Sequence, residues 1–352
     1  QDVATVFQAV LQTTIKCAGK LSQNDNSGIL QSKVIMFLHR MVPGFGAEFA
    51  KFAPPICSQL MKQAKNPRNM VEVLQLISQV VREYSSDFYA SMDPMLFPLL
   101  QTTEKYLATL AKPTIANDSS TLTHEQNEYL SLQRSLFVFF YDLVIAHLSS
   151  VLFSPTNMPH LQNILAFLSD GATIPHPICQ KTCILTLAQL TRNWIPASAE
   201  SRPAVRSVLT GMGVTLNQDI VDPQPTRWEL LNKIVKSPSD RYAQVPEPVK
   251  LAFIRFLFET ATESSFKALF QPHITTQDAG CLALITCVCG FHLTLAARLG
   301  MDWLLFVKQV FLLNANCPPQ VGNEYISAIL VTPDITPKRL RSIFINLFIA
   351  KK

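Results

Sequence analysis

The sequence is poor in glycine and in charge. Of 352 residues 11 are Gly and 16% are Asp, Glu, Lys or Arg, against 48% hydrophobic residues that include 22 phenylalanines. So little charge beside so much apolar side chain excludes a disordered chain, because enough surface can be buried to offset the ordering entropy. Alternating β-branched segments bounded by glycine turns, the mark of hairpins, are missing. Also missing are G-x-S-x-G, a glycine-rich phosphate loop and H-E-x-x-H, and the seven histidines are scattered singly. Nucleophilic, nucleotide and metalloprotease chemistry therefore have no foothold, and the chain reads as a non-enzyme that needs no cofactor.

The eight cysteines stand at irregular spacings in a chain far longer than disulfide-dependent secreted domains, which favours a reducing compartment and free thiols. No secretory signal is visible, since the first apolar stripe, Val3, Val6, Phe7, Val10 and Leu11, is broken every few residues by Gln, Thr and Lys. That stripe already has helical spacing and residue 1 is Gln, so the chain is expected to begin inside a repeat of something longer. The single glycosylation sequon, Asn117-Asp118-Ser119, is what chance provides. A net charge of +5 and a pI near 8.7 favour an acidic partner without reaching the basicity of domains that hold nucleic acid by charge alone.

Internal repetition is the main organising signal. A shift of 39 residues places Val34-Ile35 on Val73-Leu74, Met41-Val42 on Val80-Val81, Phe49 on Phe88, Pro55 on Pro94 and Leu60 on Leu99 without a gap. A period near 40 residues, made of two amphipathic helices, is that of HEAT and armadillo repeats, whose units must stack to bury their apolar faces. The first helices are predicted near 29–42 and 69–84, and the second near 46–65 and 87–111, where Pro55 and Pro94 should bend or restart them. A third copy is indicated by the Phe153 to Pro159 interval, although Ser154-Pro155 interrupts it. Residues 112–124 lose apolar periodicity and read as an exposed insertion. A helix is expected from Glu125 to Phe153, with Leu132, Leu136, Phe139, Phe140, Leu143, Val144 and Leu148 buried. Others are expected near 160–170, 178–194, 201–219, 226–236, 247–270, 278–312, 320–331 and 337–350, separated mostly by prolines. The fold class is all-α, a HEAT-like α-solenoid in which antiparallel helix pairs form one continuous superhelix over 1–352.

Cys179 and Cys183 share a helix face with His176 just upstream, yet no second ligand pair stands at metal-site spacing, so core packing is the better reading. Cys287 and Cys289, two apart on a helix, face different ways and cannot chelate one ion. Ala279 to Ala297 is long enough to span a bilayer, but the apolar pattern continues through Asp302 and Lys308 to Leu313, as the core helix of a solenoid requires. Membrane insertion is not expected. Basic residues gather at Lys62, Lys65 and Arg68 around the Pro67 turn, and at Lys338, Arg339 and Arg341 in the first turn of the last helix. Without interleaved aromatics they suit phosphate contacts rather than base reading; solvated surface is the alternative.

Ser154-Pro155-Thr156-Asn157-Met158-Pro159-His160-Leu161, then Ile164-Leu165 and Gln180-Lys181-Thr182-Cys183, resemble the corresponding segment of the exportin-T family, the karyopherins that export tRNA. Weaker similarity runs from about Ile29 to Phe348. The resemblance implies a C-terminal portion of a monomeric receptor that wraps mature tRNA, binds it cooperatively with RanGTP, passes nuclear pores by way of nucleoporins and shuttles between nucleus and cytoplasm. Ran would be held mainly by N-terminal repeats absent here. No family motif assigns tRNA contacts position by position, so the six basic candidates rest on charge and placement. A HEAT scaffold or a karyopherin for protein cargo is the alternative function.

Overall fold

The computed structural model describes residues 27–45, 47–112, 123–217, 225–235 and 245–349, with scattered positions between 5 and 16. Most of the predicted insertion at 112–124, the sequon and much of the opening apolar stripe lie outside the described residues. Among the described residues there is no strand, and the helices form two compact units, residues 1–160 and 161–352.

In the first unit, α1 (Ser27–Phe45), α2 (Ala47–Gln63), α3 (Pro67–Tyr84) and α4 (Tyr89–Thr109) make two helix pairs at the predicted step. The shifted partners behave alike except for Met41, which is half-buried where Val80 is fully buried. Val34 and Val73, Ile35 and Leu74, Val42 and Val81, Phe49 and Phe88, and Leu60 and Leu99 are all buried, while Pro55 and Pro94 are both exposed. Helix α1 packs on α3 and α2 on α4, and polar bonds repeat the step. Ser32 Oγ donates to Glu72 Oε2 at 2.6 Å, Gln79 Nε2 to the His39 carbonyl at 3.1 Å, and Tyr84 Oη to the Val42 carbonyl. The helices run through Pro54-Pro55 and Pro94 without restarting; Pro55 and Pro94 face solvent and Pro54 is half-buried.

Helix α5 (His124–Ile145) lies against α3 as the first helix of a third repeat. A capping box starts it: Thr123 Oγ1 accepts from the Gln126 amide while Gln126 Oε1 accepts from the Thr123 amide. All seven residues expected on its apolar side are buried, six within the helix and Leu148 beyond its end. It ends at Ile145, however, eight residues before the predicted Phe153. The Ala146–His147 turn, with His147 at φ 60°, breaks the helix, and short 3-10 turns at Ser149–Phe153 and Met158–His160 stand where a second helix would be.

The second unit contains α6 (Leu161–Gly171), α7 (Pro177–Trp194), α8 (Ser198–Gly211), α9 (Pro225–Val235), α10 (Glu247–Phe256) and α11 (Thr262–Leu269), the last two joined by a π turn. It continues with α12 (Ala279–Phe306), followed by a π turn and the short α13 (Leu312–Asn314), then α14 (Pro319–Val331) and α15 (Pro337–Phe344). The expected helix 201–219 stops at Gly211. Gly213, at φ +70°, lets the Val214 amide bond the Leu209 carbonyl and its own amide bond the Thr210 carbonyl, which is the Schellman closure that glycine permits.

Helix α12 is the centre of this unit, packed by α7, α8, α9 and α15. The stretch Ala279–Asn314 is long and apolar enough to cross a membrane, and its most apolar window is 61% buried against protein. Asp278 caps the start through the Cys281 amide at 2.7 Å. At Gly300 the backbone turns to φ +70°, and a Cβ there would stand 3.1 Å from Ser198 Cβ, so both conformation and contact require glycine.

Candidate nucleic-acid interface

Lys62 closes the last turn of α2, Lys65 lies in the linker and Arg68 opens α3, so one tight turn brings all three together, each exposed or nearly so. Asn66 makes that turn, accepting the Asn69 amide at 2.8 Å, with Pro67 at the first helical position. Arg68 Nε stands 3.9 Å from Glu72 Oε1, an i,i+4 pair on a highly exposed guanidinium, which leaves the positive charge weakly held.

The other three candidates flank the start of α15. Thr336 Oγ1 accepts the Arg339 amide at 3.2 Å and Pro337 takes the first position, as the sequence predicts. Lys338 and Arg339 are exposed, and Arg339 Nη1 reaches the Pro333 carbonyl at 2.8 Å. Arg341 goes elsewhere: it is half-buried and donates to Thr286 Oγ1 on α12 at 3.1 Å. The first turn holds no acidic residue, so the positive end of the helix dipole faces two solvent-accessible cations, an arrangement an external anion relieves.

Several of the residues that carry the family resemblance are structural. Asn157, 1% exposed, donates through Nδ2 to the Asp93 carbonyl at 3.0 Å, Asp93 Oδ1 at 2.9 Å and the Val151 carbonyl at 3.1 Å, and Ser154 Oγ donates to Asp93. The His160 ring stacks on Phe97 with centroids 3.7 Å apart. Together they fasten the 3-10 segment to α4 in place of a helix. Gln180 and Cys183 are buried. Burial pushes the Cys183 thiol up, with Cys179 beside it adding to the shift, so the thiol stays protonated. His176 Nδ1 caps α7 through the Cys179 amide, and no group of three metal-ligating side chains occurs among the described residues.

Sequence reasoning missed a polar cleft between α3 and α5, lined by Gln75, Ser78, Arg82, Ser131, Arg134 and Asp142 and enclosing about 360 Å³. Its two arginines lie far apart in the chain, so no local charge cluster announces them; only the stacking of α5 on α3 brings them together. Arg82 Nε is 3.8 Å from Asp142 Oδ2. Burial pushes the Asp142 carboxyl up, and the Arg82 charge and the Ser78 hydroxyl pull it back.

Comparison with known proteins places this chain in a family. The Exportin-T family profile matches residues 1–352. Exportin-T of Homo sapiens is 28% identical over 190 residues, 54% of this chain and 18% of that protein. The Oryza sativa protein is 28% identical over 170 residues, 48% of this chain and 17% of its own length. Exportin-T of Mycosarcoma maydis is 20% identical over 341 residues, 97% of this chain and 26% of that protein. The chain thus spans about a fifth to a quarter of the curated relatives it matches.

Proposed function

Because the chain belongs to the exportin-T family, we propose that it is part of a nuclear export receptor that binds mature tRNA cooperatively with RanGTP and carries it through nuclear pores. In this reading both helical units belong to one continuous solenoid, the protein shuttles between nucleus and cytoplasm, and nucleoporin contacts accompany passage. The observation that carries it is the family match along the whole chain. The cations at the α2–α3 turn and at the start of α15 support the cargo assignment, since RNA recognised by shape is held through its phosphates. We assign Lys62, Lys65, Arg68, Lys338 and Arg339 to that role. Arg341, turned toward Thr286, serves as a brace for α15 within it.

The test is charge reversal in the full-length protein. Replacing Lys62, Lys65 and Arg68 together by Glu, or Lys338 and Arg339 together, should leave the helical signal intact. Affinity for mature tRNA should drop, and the slope of log affinity against log salt should flatten by about one for each phosphate that is no longer neutralised. Unchanged affinity and slope in both variants would remove these sites. Capture of protein cargo without tRNA would replace the function itself.

A further inference from the structure

The α3–α5 cleft contains something a plain anion site has no use for. Its donors are ordinary for phosphate: the guanidinium of Arg82, 56% exposed, that of exposed Arg134, the Gln75 amide and the Ser131 hydroxyl. Among them stands Asp142, 3% exposed, which as a carboxylate can only accept. Its Oδ2 makes no hydrogen bond among the described residues, Arg82 at 3.8 Å is beyond charge-assisted bonding distance, and the one neighbouring donor in the cleft that acts on the carboxyl is the buried Ser78 hydroxyl. A carboxylate has about four acceptor sites, so one hydroxyl leaves room for a further donor. A phosphate or an acidic side chain would satisfy the arginines and repel Asp142. A ribose in RNA satisfies both, because its 2′-hydroxyl is a donor beside an anionic phosphodiester.

We propose that the cleft between α3 and α5 holds one ribose-phosphate unit of RNA, the phosphate between Arg82 and Arg134 and the 2′-hydroxyl donating to Asp142. This rests on the tRNA reading above and adds to it a means of distinguishing ribose from deoxyribose at a site with no base contact. The raised proton affinity of the buried carboxylate makes it a strong acceptor for that hydroxyl.

The test uses the full-length protein, a mature tRNA transcript and the same transcript carrying 2′-fluoro nucleotides, which keep the A-form helix and lose the donor. The unaltered protein should bind the 2′-hydroxyl tRNA more tightly. Asp142→Asn should reduce that preference by about tenfold or more, the loss of one hydrogen bond to a charged group. Arg134→Gln, at an exposed position that the fold does not need, should weaken both tRNAs equally and lower the salt slope by about one. An unchanged preference in Asp142→Asn overturns the ribose assignment, even if Arg134→Gln weakens binding, and leaves the tRNA reading standing. Failure of the unaltered protein to bind tRNA overturns both.

Discussion

Buried hydrogen bonds decide the state of His292, which is fully buried on α12. Ser265 Oγ donates to the Thr262 carbonyl at 2.7 Å and so receives the His292 Nε2 proton at 2.9 Å, leaving Nδ1 to accept from Tyr325 Oη at 2.6 Å. Trp303 Nε1 joins this network by donating to Thr262 Oγ1 at 3.1 Å. The imidazole is neutral, and burial pushes its pKa down to about 3, whereas the unfolded chain titrates near 6.5. Below pH 6.5 the unfolded state therefore binds a proton that the folded state refuses, and stability falls with pH. The loss expected from this residue is about 1.4 kcal/mol at pH 5.5. Urea midpoints at pH 7.5 and 5.5 check it: His292→Gln should be less stable at both values and show a smaller difference between them. An equal difference in both proteins would show that His292 does not titrate in this way. Asp142, whose carboxyl is shifted upward by burial, acts in the opposite direction and is common to both proteins.

At the scale of the element, α12 and α15 carry the clearest expectations. Leu284 is fully buried in α12, and Leu284→Ala should cost roughly 2 to 5 kcal/mol through reduced transfer energy and a cavity; an unchanged urea midpoint would contradict its place in the core. Thr336→Ala should cost about 1 kcal/mol by removing the cap of α15, seen as a lower midpoint without a change in denaturant slope. Both helices were legible in sequence because their apolar spacing, caps and flanking residues agree. The ends of α5 and α8 were less legible. Apolar residues continue from Ile145 through Leu148 and Leu152 at near-helical spacing, and nothing there announces that His147 takes a left-handed backbone. At α8 the Gly211-Met212-Gly213 stop is a recognisable signal, but Val214 and Leu216 extend the apolar pattern beyond it.

At the scale of the whole molecule, the repeat step was readable because stacked units reuse buried positions such as Phe49 and Phe88. The candidate interface was readable only in part. Lys62, Lys65 and Arg68 are neighbours in sequence and in space, whereas Arg82, Arg134 and Asp142 meet only after folding. Arg341 looks in sequence like one more surface cation and is instead bonded to α12. Ser154 to Leu161, which carries the resemblance in sequence, fastens a degenerate repeat through Ser154, Asn157 and His160, and none of the residues assigned to RNA lies in it. Binding of the full-length protein to mature tRNA, with and without Ran loaded with a GTP analogue, separates an export receptor from a scaffold for other cargo. Specific tRNA binding, strengthened by Ran-GTP and weakened by salt, is expected. Binding that is absent, or indifferent to Ran, would contradict the receptor reading.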